Sequence, residues 1–106
     1  MKKYYEEHKK IYFKKLEGYT NQLKVMAHPV RYSILIMLST NKKMTVTQIY
    51  EELGLEQATI SNHLKILKSM DLVGIDKNGK NKFYWINGKS IVKLFQNLNL
   101  GDFKEN

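Results

Sequence analysis

Apolar residues recur along the first quarter of the chain at the steps of a helix. Tyr5, Tyr12, Leu16, Tyr19, Leu23 and Met26 follow one another at intervals of seven, four, three, four and three, which keeps them on one face. Lys9, Lys10, Lys14 and Lys15 lie mostly beside that stripe, and Gly18 predicts a break or bend within it. His28-Pro29 opens a second element, since proline suits a first helical turn where its missing N–H costs nothing. From Ile34 to Leu38 the residues are all apolar, the mark of a central core helix.

Two shorter helices follow a polar turn at Asn41-Lys42-Lys43, with Met44-Thr45-Val46 as a candidate short strand. Thr47 is the expected N-cap of a helix through Leu53, with Ile49 and Leu53 inward. Gly54 sits where a helix ends in the left-handed conformation. Glu56 to Met70 then predicts a helix with Ile60, Leu64, Leu67 and Met70 inward. Two helices joined by a tight, glycine-containing turn make a helix-turn-helix. Next, β-forming runs flank Asn78-Gly79, a strong hairpin signal. A last helix carries Ile91, Leu94, Phe95 and Leu98 on one face, and the tail Gly101 to Asn106 is expected to fray. The predicted fold is mainly α with one small β-hairpin, a winged helix-turn-helix in a single domain over 1–106. The helix-turn-helix spans about 47–70 and the wing about 72–87.

Composition narrows the function. The 106 residues include no cysteine, which excludes disulfides, thiolate metal sites and cysteine redox sensing. Nothing approaches a signal peptide or a membrane span, so a soluble cytoplasmic protein with no membrane partner is expected. The net charge of +8 suits a polyanionic partner, although plain solubility would explain it too. Ten of the Lys and Arg residues against three Glu fall in residues 1–43, so most of the excess lies toward the N-terminus.

The second helix of a helix-turn-helix enters the major groove with its N-terminal half against the base edges. Here that half offers Gln57, Thr59, Ser61, Asn62, His63 and Lys65, read as lying opposite the apolar stripe. Such side chains can pair with adenine or with either partner of a base pair. No acidic residue falls between Gln57 and Met70, which argues against an ordinary solvated face. At the hairpin, Lys77, Asn78, Lys80, Asn81 and Lys82 could reach phosphates, and a solubilising turn is the plainer alternative. Phe83, Tyr84 and Trp85 could stack on single-stranded bases, but strand alternation turns some of them inward, so packing is favoured. His28 reads as a helix-start residue, and for His8 a surface role outweighs ligation. No phosphate loop or catalytic constellation is present; neither an enzyme nor a cofactor is expected.

Three segments carry a resemblance. Val25-Met26-Ala27-His28-Pro29-Val30-Arg31-Tyr32-Ser33-Ile34-Leu35 resembles the opening Ala-[Asp/His]-Pro-x-Arg helix of the ArsR (arsenic-repressor) type of regulator, and Ser61 to Leu67 resembles its Ser-x-His-Leu-x-x-Leu element. Met70-Asp71-Leu72-Val73 is similar to the family's Ala-Gly-Leu-Val, and the similarity covers roughly 20–90. The resemblance implies a homodimeric repressor that binds an inverted-repeat operator in double-stranded DNA and releases it for an inducer. It also implies dimerisation through the N- and C-terminal helices, about 4–26 and 89–99, with Tyr12, Leu16, Tyr19, Leu23, Ile91, Leu94, Phe95 and Leu98 in the interface. Isologous pairing would set two reader helices roughly 34 Å apart. The family's metal sites are not matched. Thr45, Val46, Thr47, Ile49 and Tyr50 stand where cysteines would, and Lys89, Ser90, Lys93, Gln96 and Asn97 where Asp and His pairs would. No metal site is expected, and any inducer is expected to be a non-metal one. A protein-interaction module and a non-specific nucleic-acid or RNA binder are the competing readings.

Overall fold

In a computed structural model, residues 2–98 are described, without the side chains of residues 2, 4 and 5. The Tyr5 side chain, the tail Gly101 to Asn106 and the last position of the 89–99 helix therefore lie outside the described residues. The order is α1 (Lys2–Glu7), α2 (Lys9–Met26), α3 (Pro29–Thr40), α4 (Val46–Leu53), α5 (Gln57–Ser69), β1 (Val73–Asn78), β2 (Asn81–Ile86) and α6 (Gly88–Asn97).

Helix α2 runs unbroken through Gly18, so the expected break does not occur there. One glycine inside a helix costs about 1 kcal/mol relative to alanine, and the cost is borne by an 18-residue helix whose last residue, Met26, enters the core. The chain breaks instead at His8, where φ is −134° and ψ is 46°. At α3 the expectation holds: His28 is the N-cap, its Nδ1 accepts from the Val30 N–H at 3.1 Å, and Pro29 follows. Ile34, Leu35, Met37 and Leu38 are buried, while Tyr32 and Ile36 face outward, so α3 is core on one side only.

Helix α4 starts two residues earlier than expected. Thr45, not Thr47, is the N-cap, because Gln48 stands three residues on and can reciprocate. Thr45 Oγ1 accepts from the Gln48 N–H at 3.2 Å, and the Thr45 N–H donates to Gln48 Oε1 at 2.9 Å. Gly54 ends α4 at φ 69°, the left-handed conformation that a β-carbon disfavours. Glu56 is the N-cap of α5 but makes no side-chain capping bond.

Strands β1 and β2 pair antiparallel, with Gly79 and Lys80 as the loop, one residue later than the expected Asn78-Gly79. Asn78 and Asn81 form the terminal pair, and Gly79 supplies the positive φ of 65° that the loop needs. On the opposite edge of β2, Met44 and Tyr84 exchange two backbone hydrogen bonds of 3.0 and 2.8 Å, so the candidate strand at 44–46 is a single bridging residue.

The core joins Ile34, Leu35, Leu38, Ile49, Ile60, Leu64, Leu67, Leu72, Val73 and Leu94, from every helix after α2 and from β1. Between α5 and β1 the chain turns at Asp71, whose φ is 61°. The family pattern has glycine there; here Ser90 Oγ donates to Asp71 Oδ2 at 3.0 Å and Asn87 Nδ2 donates to the Asp71 carbonyl at 3.1 Å. Aspartate is among the few side chains that tolerate this conformation. The result is a winged helix-turn-helix: α4, a tight turn, α5, then a hairpin.

Candidate nucleic-acid interface

Ile60, Leu64 and Leu67 are fully buried and fix the rotation of α5. Gln57, Thr59, Asn62 and Lys65 are thereby turned to solvent, and Ser61 is half-buried. Thr59, Ser61, Asn62 and Lys65 line one shallow concave patch together with Ala58, a residue the sequence reading passed over. Alanine adds a short apolar side chain to that patch, the kind of surface that suits a thymine methyl group.

His63 departs from the expected outward face. It lies three residues after Ile60 and four before Leu67, so helical geometry places it on the flank of the buried stripe. Its ring stands 4.7 Å from that of His28. Its Nδ1 lies 3.3 Å from Arg31 Nη1, and Arg31 Nε donates to the Val25 carbonyl at 2.8 Å. Partial burial, His28 and Arg31, in that order, hold the His63 imidazole below the ordinary histidine range. Arg31 was legible only as part of a Pro-x-Arg motif, and no periodicity links it to a helix 32 residues later.

At the wing the register puts Lys77 directly opposite Lys82. Directly paired residues of an antiparallel ladder point to the same face, so two ammonium groups share it, with exposed Lys80 in the loop and exposed Asn81 beside it. Like charges placed so destabilise a hairpin in isolation. Deeper in the wing, Asp76 accepts from Trp85 Nε1 at 3.1 Å and pairs with Lys43 at 2.6 Å. The hydrogen bonds from Lys43 and Trp85 hold its carboxyl below the usual range. Trp85 lies flat over Gly74, where any β-carbon would overlap the indole. Tyr84 is half-buried and packs on the core, where burial raises its phenol. Tyr84 and Trp85 are packing groups.

Of the expected interface residues, Tyr12, Leu16 and Leu23 are half-buried. Tyr19, Ile91, Phe95 and Leu98 are half-buried and already pack partly on their own core. Leu94 is a correction: it is 0% exposed, enclosed by its own chain, and has no surface to give a partner. On α2 and α6, three residues outside the expected set are open instead: Ile11 at 56%, Phe13 at 61% and Val92 at 55%. Among the described residues no group of three or more His, Cys, Asp or Glu could hold a metal ion, and no helix is long and apolar enough to cross a membrane.

Known proteins share both sequence and shape with this chain. The family model for "Bacterial regulatory protein, arsR family" matches residues 28–74. An HTH-type transcriptional regulator of Methanocaldococcus jannaschii is 39% identical over 79% of this chain and 98% of its own. The transcriptional repressor PagR of Bacillus anthracis is 36% identical over 85% of this chain and 90% of its own. The PagR crystal structure superposes with a TM-score of 0.68, covering 82% of this chain and 99% of that one at 33% identity. A homodimeric winged helix-turn-helix DNA-binding domain from Mycobacterium bovis superposes with a TM-score of 0.67, at 28% identity, covering 80% of this chain and 78% of that one. With its helix-turn-helix, its wing and these relatives in agreement, the chain belongs to the arsR family of bacterial regulatory proteins, transcriptional regulators rather than enzymes.

Proposed function

We propose that the whole chain acts as one unit, a homodimeric cytoplasmic repressor that binds an inverted-repeat operator and answers to a non-metal signal. Helix α5 reads the major groove through Gln57, Thr59, Ser61, Asn62 and Lys65, with His63 at the edge of that surface. Lys77, Lys80, Asn81 and Lys82 hold flanking phosphates. Helices α2 and α6 form the dimer, with Ile11, Phe13 and Val92 as its most open apolar surface. The observation that carries the reading is the Lys77–Lys82 pair, two cations facing each other at the end of a hairpin beside an acid-free helix face. An anion between or beside them removes the repulsion, and DNA phosphates are such anions. PagR and the Staphylococcus arsenical-resistance operon repressors are relatives that are repressors, and the M. bovis domain is a homodimer.

Fluorescence anisotropy tests this on a duplex from upstream of the chain's own gene, against a scrambled duplex, across a salt series. The expected outcome is a preference for the upstream duplex that survives near-physiological salt. Lys80→Ala with Lys82→Ala should weaken binding to both duplexes and lower the salt slope by about two. Ser61→Ala with Asn62→Ala should erase the preference and leave non-specific binding intact. Equal, salt-labile binding of both duplexes by the wild type would reduce the interface to charge alone.

A further inference from the structure

We infer that Arg31 fixes the hydrogen-bonding identity of His63, holding it as the Nε2–H tautomer so that the reader helix presents a donor there and not an acceptor. The role in recognition rests on the proposal that α5 lies against DNA. The tautomer itself does not.

A neutral imidazole has one donor and one acceptor nitrogen, and which is which depends on its partners. A guanidinium has only donors. The 3.3 Å approach of Arg31 Nη1 to His63 Nδ1 is therefore a hydrogen bond only if Nδ1 is the bare, accepting nitrogen. The proton must then sit on Nε2, at the other side of the ring. His28 obeys the same logic, because its Nδ1 accepts from the Val30 N–H. Arg31 and His28 are the charged and titratable groups that act on His63. Adding a proton to Nδ1 would set one cation against another and break the bond.

Arg31 is itself anchored, for a reason written in the sequence. In a continuing helix the Val25 carbonyl would accept from the residue four places on, which is Pro29 and has no N–H. Arg31 Nε fills that vacancy at 2.8 Å. One guanidinium thus spans the end of α2, the first turn of α3 and the flank of α5. Its position, and hence the state of His63, depends on how α2 meets α3.

A His63 that can only donate through Nε2 suits acceptors on a duplex: guanine O6 or N7, adenine N7, thymine O4, or a phosphate oxygen. It offers nothing to the amino groups of cytosine or adenine.

Long-range proton–nitrogen correlation NMR on the DNA-free protein reads the tautomer directly. The expected result is Nε2–H for His63 in the wild type, retained in Arg31→Lys, whose ammonium is also only a donor, and replaced by a mixture of tautomers in Arg31→Gln. On the upstream and scrambled duplexes, Arg31→Gln should lower the preference about tenfold with His63 still present, and Arg31→Lys should restore most of it. An Nδ1–H tautomer in the wild type overturns the inference, and this arm needs no variant to fold. So does an Arg31→Gln protein with mixed tautomers and full preference. A wild type with the Nε2–H tautomer and no preference between duplexes would instead overturn the DNA reading, and the recognition role with it.

Discussion

Gly74 shows how much one side chain can depend on the absence of another. The Trp85 indole occupies the space where a β-carbon would stand and reaches Asp76 through Nε1. Gly74→Ala should drive the ring off the strand and break that bond, at a cost of about 1–3 kcal/mol, the usual range for overpacking a filled site. Urea denaturation followed by circular dichroism would measure the loss, and an unchanged midpoint would show that the ring has room to move. At this scale the sequence was only partly readable. Which polar residues of α5 reach solvent follows from the buried stripe, and Gln57, Thr59, Asn62 and Lys65 are exposed as it implies. His63 was not, because a residue flanking the stripe is turned in or out by its partners, and Arg31 and His28 lie on a different helix. Leu94 was read as interface because a stripe on a terminal helix shows that it is buried and not what buries it.

The elements were more legible than their ends. Periods of three and four located the helices, and two glycines marked the tight turn and the hairpin. Their exact starts depended on single hydrogen bonds that periodicity does not encode. Thr45 and Thr47 are both good capping residues, and Gln48 decides between them by bonding back to Thr45. Thr45→Ala should therefore cost about 1 kcal/mol, the typical worth of a cap. Thr47→Ala, at an exposed helical position, should change stability by only a few tenths of that. Chemical denaturation of the two variants side by side would separate them, and equal losses would refute the box. The wing's place was legible too, but its register was not. The shift of its loop by one residue is what sets Lys77 against Lys82.

As a whole, the chain is drawn out. Its radius of gyration is 16.2 Å and its extents are 50 × 28 × 26 Å, against about 13 Å for a compact domain of roughly this length. A shape so long leaves apolar surface on α2 and α6 that one small core does not cover. Phe13→Glu with Val92→Glu should convert the proposed dimer to monomers by light scattering with helical content kept. Persistent dimers would move the interface elsewhere. Leu94→Ala should behave differently, lowering stability by about 2–5 kcal/mol whatever the state of assembly, because it opens a hole in a single chain's core. The helix-turn-helix pattern and the family resemblance pointed to a dimeric DNA binder. They could not divide one apolar stripe into the part that faces the chain's own core and the part left open.

Trp85 is the only tryptophan in the chain, and it is fastened at the wing's root by Gly74 beneath it and Asp76 beside it. Excitation at the red edge of the indole band, where the seven tyrosines absorb little, therefore reports on the wing. The protein carries a built-in optical probe, placed where the hairpin would feel an approaching helix of phosphates, so the arrival of the wing could be timed in a stopped-flow mixer without any dye.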